Sequence, residues 1–255
     1  MLAHRPSRRA SQSTRSPKPE AQSLKPAPNT HRHAAVRQNR DMTDWLAGLR
    51  REHVTGALSD ADASPDPFEQ FRDWLGEAHA AGMLQANAMT LSTVDVDGRP
   101  DARVVLLKGF DERGFVFYTH RTSRKGDQLA ANPHAALTFF WDVLERQVRI
   151  QGRVEWTTDA ESDEYFQSRP RGSQLGAIVS DQSAVIPGRE VLEDELAAVA
   201  ARTGDQPLER PRTWGGYRLA PTEIEFWQGR PSRLHDRIRY TLTRHDGWRR
   251  ERLAP

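Results

Sequence analysis

Three short runs rich in β-branched and aromatic residues follow one another between Met89 and Thr119, with only turns between them. Met89 to Val94 leads through the Asp97-Gly98 turn to Ala102 to Lys108, and Asp111 to Gly114 then turns the chain into Phe115 to Thr119. Asp-Gly between apolar runs is a strong hairpin signal, whereas a parallel connection needs a crossover of a dozen or more residues. The segment therefore predicts an antiparallel meander, and the rest of the fold has to be built around it.

Upstream, Asp66-Pro67-Phe68-Glu69 supplies an N-cap, a proline at the first helical position and an acid at the third. Phe68, Phe71, Leu75 and Ala78 follow at helical spacing, which predicts a helix ending near Gly82. Downstream, Ser123 is placed to cap a helix through Ala131 that stops before Pro133. Strands are expected at Ala135 to Trp141, Gln147 to Trp156, Gly216 to Leu219, Glu223 to Trp227 and near Trp248 to Leu253, with helices at Asp159 to Gln167 and Glu190 to Ala201. The sum is a mainly β chain with flanking helices: a β-barrel or strongly bent sheet in one domain over residues 42–255.

Charge is distributed unevenly. Residues 1–40 hold nine Lys or Arg against one acid, Glu20, which leaves 28 basic and 34 acidic residues in the remainder. The basic excess thus belongs to an N-terminal extension, residues 1–41, rich in Ser, Pro, Arg and Gln and too poor in large apolar side chains to offset the entropy of ordering. It is read as disordered, with Met42 as an alternative start, and not as a nucleic-acid-binding arm. The chain has no cysteine, which excludes disulfides and thiolate metal sites. No apolar run approaches the roughly 18 residues of a membrane span, and no secretory signal is visible, so a cytoplasmic protein with no membrane partner is expected.

Four segments concentrate chemistry. Arg103-Val104-Val105-Leu106-Leu107-Lys108 brackets apolar residues with two cations, which either flank a buried strand with their charges in water or, pointing to opposite faces by strand alternation, serve two different anions. Ser123-Arg124-Lys125 stands at a predicted helix start, where free amides and the dipole favour an anion and unpaired cations are costly. Ser168 to Gln174 places Arg169, Arg171 and Ser173 in a turn between helices, one helical turn after Tyr165; the guanidinium forks and hydroxyls suit phosphate oxygens, or simply water. Trp227 and Arg233-Leu234-His235-Asp236-Arg237 follow a turn at Gly229 to Ser232, and their residue types suit a polar site for a planar ligand. No metal-ligand spacing, dinucleotide fingerprint, P-loop or nucleophile elbow is present.

From Trp45 to Pro255 the chain resembles the pyridoxamine 5'-phosphate oxidase family. The resemblance is carried, in order, by RVVLLK at Arg103 to Lys108, FYT at Phe117 to Thr119, SRK at Ser123 to Lys125, LERQV at Leu144 to Val148 and YFQSRPRGSQLGA at Tyr165 to Ala177, then by Gln182-Ser183, IEFWQG at Ile224 to Gly229 and RLHDR at Arg233 to Arg237. It implies an FMN-binding split β-barrel that works as a homodimer, with the flavin in clefts between subunits, and oxidation of pyridoxamine or pyridoxine 5'-phosphate by dioxygen. The implied flavin contacts are Arg103, Val104, Val105, Leu106, Leu107, Lys108, Tyr118, Thr119, Arg124, Lys125, Gln147, Gln182, Ser183, Trp227 and Arg237. Lys108, Tyr165, Arg169 and Ser173 are implied for the substrate phosphate, Arg233 and His235 for the substrate ring as the catalytic pair, and no metal is implied.

The family's Arg-Arg-Glu-Tyr lid segment reads Arg50-Arg51-Glu52-His53 here, so that Arg50 and His53 stand where substrate contacts are implied. Histidine keeps a hydrogen-bond donor but titrates near 6.5 and lacks the phenol. Within Arg233 to Arg237 an extended backbone is expected to point positions 233, 235 and 237 one way, toward a cleft where both ligands meet.

Overall fold

The computed structural model describes Trp45, Leu46, Gly48, Leu49, His53 and residues 56–255. The chain forms two units, Met1–Arg51 and Glu52–Pro255. In the first, Trp45, Leu46 and Gly48 are helical; residues 1–41, expected as an extension, and Arg50 lie outside the described residues. The elements that follow belong to the second unit.

Of the expected meander only the first hairpin forms, since the second and third runs, Ala102 to Lys108 and Phe115 to Thr119, do not pair with each other. β1 (Ala88–Val94) and β2 (Pro100–Leu106) pair antiparallel with Met89 opposite Val105, and β3 (Gly109–Asp111) returns on β4 (Gly114–His120). β5 (His134–Trp141), β6 (Arg146–Trp156), β7 (Trp214–Gln228), β8 (Asp236–Leu242) and β9 (Trp248–Arg252) complete one nine-stranded sheet in the order β2-β1-β5-β6-β7-β4-β3, with β8 on β7 and β9 on β8. β3 covers only the Gly114 to Val116 end of β4, so Tyr118 and Thr119 have no strand on that side. There the sheet curls until β2 and β4 face each other without pairing, which leaves a half-closed barrel with a split between them.

Two strands differ from expectation. Gly216 to Leu219 and Glu223 to Trp227 are one strand, β7, of 15 residues. Ala220-Pro221-Thr222 reads as a break in the sequence, yet it is a bulge: the β6–β7 register shifts between Gln151 and Gly152, and a Cβ on Gly152 would strike the Ala220 carbonyl. A bulge tolerates the proline and bends the strand, so β7 serves β4 with one half and β8 with the other. β8 was not anticipated, although Asp-Arg-Ile-Arg-Tyr-Thr-Leu alternates cleanly, with Ile238 and Tyr240 fully buried and Arg237 and Arg239 outward.

α1 (Pro67–Ala80) is capped by Asp66, whose side chain accepts from the Phe68 amide. Its apolar stripe covers the barrel, with Phe71 fully buried and edge-on to Phe110, Phe115 and Phe139 at 4.9–5.0 Å. Burying one such ring stabilises by about 1.5–3 kcal/mol. α2 (Arg124–Ala131) is capped by Ser123 as expected. α3 (Asp159–Ser168) starts on a capping box of Thr158 and Glu161. α4 (Arg171–Val179) occupies most of what reads as a loop, and α5 is Glu190–Thr203. α3 to α5 share a small core of Phe166, Leu175, Ala177 and Val199 that closes on Trp214, the first residue of β7. That junction sets Tyr165 and Arg169 against the split of the barrel.

Candidate active site

A pocket of about 330 Å³ fills the split between β2 and β4. Arg103, Val104, Val105 and Leu106 line it from β2, Tyr118 and Thr119 from β4, Lys125 from α2, Tyr165 and Arg169 from the end of α3, with Lys108, Gln182 and Trp214 completing the wall. Tyr118, Tyr165 and Trp214 form a near-parallel cluster, with Tyr118 4.0 Å from Tyr165 and 5.3 Å from Trp214, and the Arg169 guanidinium sits 4.7 Å above Trp214. Gln182 Oε1 accepts from Thr119 Oγ1 and from Lys125 Nζ, both at 2.8 Å.

Four cations meet here, and no carboxylate is among the described residues lining the pocket. Asp101, outside the wall, accepts from Arg103 at 2.7 Å and Arg124 at 3.0 Å. Burial, with Arg103 nearby, lowers the Lys125 ammonium, and burial lowers Arg169, whose Nη1 is buried with no hydrogen-bond partner among the described residues. Burying a guanidinium nitrogen unpaired is costly, and cations whose charged forms are disfavoured gain most when an anion arrives. α4 starts two residues beyond Arg169 with no side-chain cap at Pro170, and Ser173 in its first turn is exposed and is not among the described residues lining this pocket. The pocket therefore fits a phosphorylated ligand with a planar, stackable ring system.

Arg124 and Ser183 line a neighbouring pocket of about 490 Å³ that shares Gln182. Ser183, at φ 80°, accepts the Arg124 amide at 3.2 Å, so it serves the start of α2 directly. Leu107 is buried behind the wall, with its amide on the Asn87 carbonyl.

A second cluster lies at the other end of β7. Gln147, Trp227 and Arg237 stand side by side on β6, β7 and β8. The His235 ring is 4.6 Å from Trp227 and 5.2 Å from His53, edge-on, and His53 Nδ1 is 3.5 Å from Glu145. A Cβ on Gly229 would collide with the His53 ring, so glycine is what admits this histidine. Arg237 forks onto Glu225 at 2.8 and 3.1 Å and reaches the Ala254 carbonyl. Arg233 is exposed on a 3-10 turn, Pro231–Arg233.

Three geometric expectations need correction. Arg103 and Lys108 do not part to opposite faces: β2 ends at Leu106, the Lys108 amide turns to the Val116 carbonyl, and both side chains line one pocket. Arg171 leaves the site altogether, its guanidinium binding Thr203 Oγ1 and the Gly204 and Gln206 carbonyls at the end of α5. Arg233, His235 and Arg237 do not share one extended segment, because Ser232 and Arg233 have φ of 57° and 61° and the strand begins only at Asp236. Sequence reasoning also missed Trp214, which no spacing marks, and His120, buried beside Lys125 and Arg169.

His120 and His235 are both held below the ordinary 6.5, first by burial, then by Lys125 for His120 and by His53 and Arg233 for His235. Neutral imidazole is thus the folded form, and its contribution to stability is present above 6.5 and is lost as pH falls through the lowered folded values. Asp101 and Glu161, lowered from 3.8 and 4.5, act only in a more acid window. Thermal melts are expected to be flat above about pH 7 and to decline below about 6.5, with a shallower decline in His120→Asn. Identical slopes for variant and parent would refute the assignment to His120.

Fold and pocket together define a split-barrel protein with a cationic cleft. The family model described as pyridoxamine 5'-phosphate oxidase matches residues 75–203, and that of the pyridoxine 5'-phosphate oxidase C-terminal dimerisation region matches residues 214–255. The pyridoxine/pyridoxamine 5'-phosphate oxidases of Cupriavidus taiwanensis and Burkholderia orbicola are each 58% identical over 210 and 212 residues, covering 82% of this chain and 99% of each relative. The solved structure of PhzG from Burkholderia lata 383, in complex with tetrahydrophenazine-1-carboxylic acid, is 32% identical over 79% of this chain and 99% of that one, with a TM-score of 0.74. The chain belongs to the pyridoxamine 5'-phosphate oxidase family.

Proposed function

We propose that this chain oxidises pyridoxamine and pyridoxine 5'-phosphate to pyridoxal 5'-phosphate. FMN, when bound, would supply the redox chemistry: a two-electron oxidation of the substrate with dioxygen as the acceptor and hydrogen peroxide as product, with water hydrolysing the oxidised amine to release ammonia. The observation that carries this reading is the cationic split pocket with the unpartnered Arg169 Nη1.

Arg103, Arg124, Lys125, Thr119, Gln182 and Ser183 would hold the cofactor's phosphate and polar edge, with Tyr118 and the β2 backbone beside it. Lys108, Tyr165, Arg169 and Ser173 would anchor the substrate phosphate. That anchor fixes the reacting carbon in a near-attack position, which is where much of the barrier is lowered. Gln147, Trp227, Arg233, His235 and Arg237 lie at the opposite end of the 15-residue β7 from Trp214. They complete the site if the second cluster comes from the other subunit, in keeping with the matched dimerisation region. His53 and Arg50 would close over the substrate. Among the described residues no helix is long and apolar enough to cross a membrane, and we place the reaction in the cytoplasm.

Residues 42–255 would be the catalytic domain and residues 1–41 dispensable. The test is peroxide release with each substrate, from the full chain and from a chain starting at Met42. Equal turnover by both is expected. Tight binding without peroxide would make the protein a carrier, and an inactive shorter chain would give the extension a role.

A further inference from the structure

The backbone N–H of Arg230 donates to Nδ1 of His235 at 3.1 Å. A backbone amide can only donate, so the ring nitrogen that receives it carries no proton. A neutral imidazole with a bare Nδ1 holds its hydrogen on Nε2.

The turn that brings amide and ring together is strained. Ser232 and Arg233 are both in the left-handed region, at φ 57° and 61°, and such residues persist where their surroundings over-determine them. Here the surroundings converge on one carboxylate. Asp236 Oδ2 accepts the Leu58 amide at 3.1 Å and lies 3.5 Å from Arg230 Nε, while Oδ1 accepts from Arg252 Nη1 at 2.9 Å. Arg230 Nη1 also reaches the Gly56 carbonyl at 2.6 Å, and Arg252 continues to Asp60 and the Leu58 carbonyl. Asp236 thus ties both ends of the turn to the strap at residues 56–60 and to β9.

We infer that Asp236 is a positioning residue for the oxidation: acting through Arg230, it holds His235 as a neutral hydrogen-bond donor that presents Nε2–H to the substrate. This rests on the placement of His235 at the substrate under the proposed function. The groups facing the ring agree with it. His53 and Arg233 oppose a second positive charge, Arg230 offers a donor, and Glu145 faces His53. His235 then has no free nitrogen to act as a base. It stabilises an acceptor atom on the substrate ring, and the substrate's own proton leaves to water.

The test is the tautomer itself, read by nitrogen-15 NMR on histidine-labelled, FMN-loaded protein without substrate, with His235→Gln identifying the resonance. An unprotonated Nδ1 and a protonated Nε2 are expected at about pH 7, and a protonated Nδ1 would overturn the inference. Asp236→Ala is expected to yield mixed tautomers and to lower kcat about tenfold with KM little changed, as loss of one oriented hydrogen bond does. Asp236→Asn, which still accepts the Leu58 amide, is expected to recover most of both. An unaltered tautomer in Asp236→Ala would remove Asp236 from the role. Should that variant not fold, Arg230→Ala, which removes the guanidinium beside Asp236 but keeps the backbone amide, is expected to show mixed tautomers, and a parental spectrum there would refute the role. Peroxide formation with a protonated Nδ1 sinks this inference alone, and the expected tautomer without peroxide sinks the proposed function alone.

Discussion

Arg169→Ala is expected to raise KM for the phosphorylated substrates by about 10- to 100-fold, the cost of losing a charge-assisted hydrogen bond, while kcat changes far less. The guanidinium lies over Trp214, is lowered by burial, and leaves Nη1 buried with no hydrogen-bond partner among the described residues. With no carboxylate among the described residues lining the pocket, the group that pairs with it has to arrive with the ligand. Arg169→Lys is expected to fall between the two, because an ammonium keeps the charge but loses the fork and the flat face against the indole. Steady-state kinetics with both substrates checks this. An unchanged KM would mean that the phosphate binds elsewhere.

Arg233→Ala is expected to lower kcat by about 100-fold or more, the scale of losing one preorganised charged contact, with FMN affinity within about twofold of the parent. Arg233 is exposed on its turn, outside the 330 Å³ pocket that would hold the flavin phosphate. Equal losses in turnover and in flavin affinity, the latter followed by fluorescence, would sink the assignment. The same variant tests how the site is assembled. If the second cluster completes the pocket of the other subunit, mixing Arg169→Ala chains with Arg233→Ala chains regenerates one intact site per mixed dimer. Assayed with substrate well below the parental KM, where both variants are nearly inactive, about a quarter of parental activity then returns. A site contained within one chain would recover nothing.

Much of this was legible in the chain itself, for local reasons. The Asp97-Gly98 hairpin, the caps at Asp66 and Ser123, and period-two alternation through β1, β5 and β6 are satisfied within a few residues, so the sequence displays them directly. Eleven of the residues proposed for cofactor and substrate, Arg103 through Gln182, come together in a single pocket. What local pattern could not display depended on distant partners. Ala220-Pro221-Thr222 looks like a strand break until Gly152 stands opposite it. Arg171 looks like a phosphate ligand until the end of α5 offers three acceptors.

Taken alone, then, the sequence determined the first hairpin, the capped starts of α1 and α2 and the family to which the residues belong, because each depends on neighbours along the chain. Tertiary structure decided which charges are left over. Glu225 takes Arg237 and Asp236 takes Arg230 and Arg252, whereas Arg103 and Arg124 share the one carboxylate of Asp101 and the half-buried Arg169 keeps one buried nitrogen unmatched among the described residues. Whether a cation awaits a ligand is set by the carboxylates and carbonyls within about 4 Å of it, and in this fold those come from residues far away in sequence.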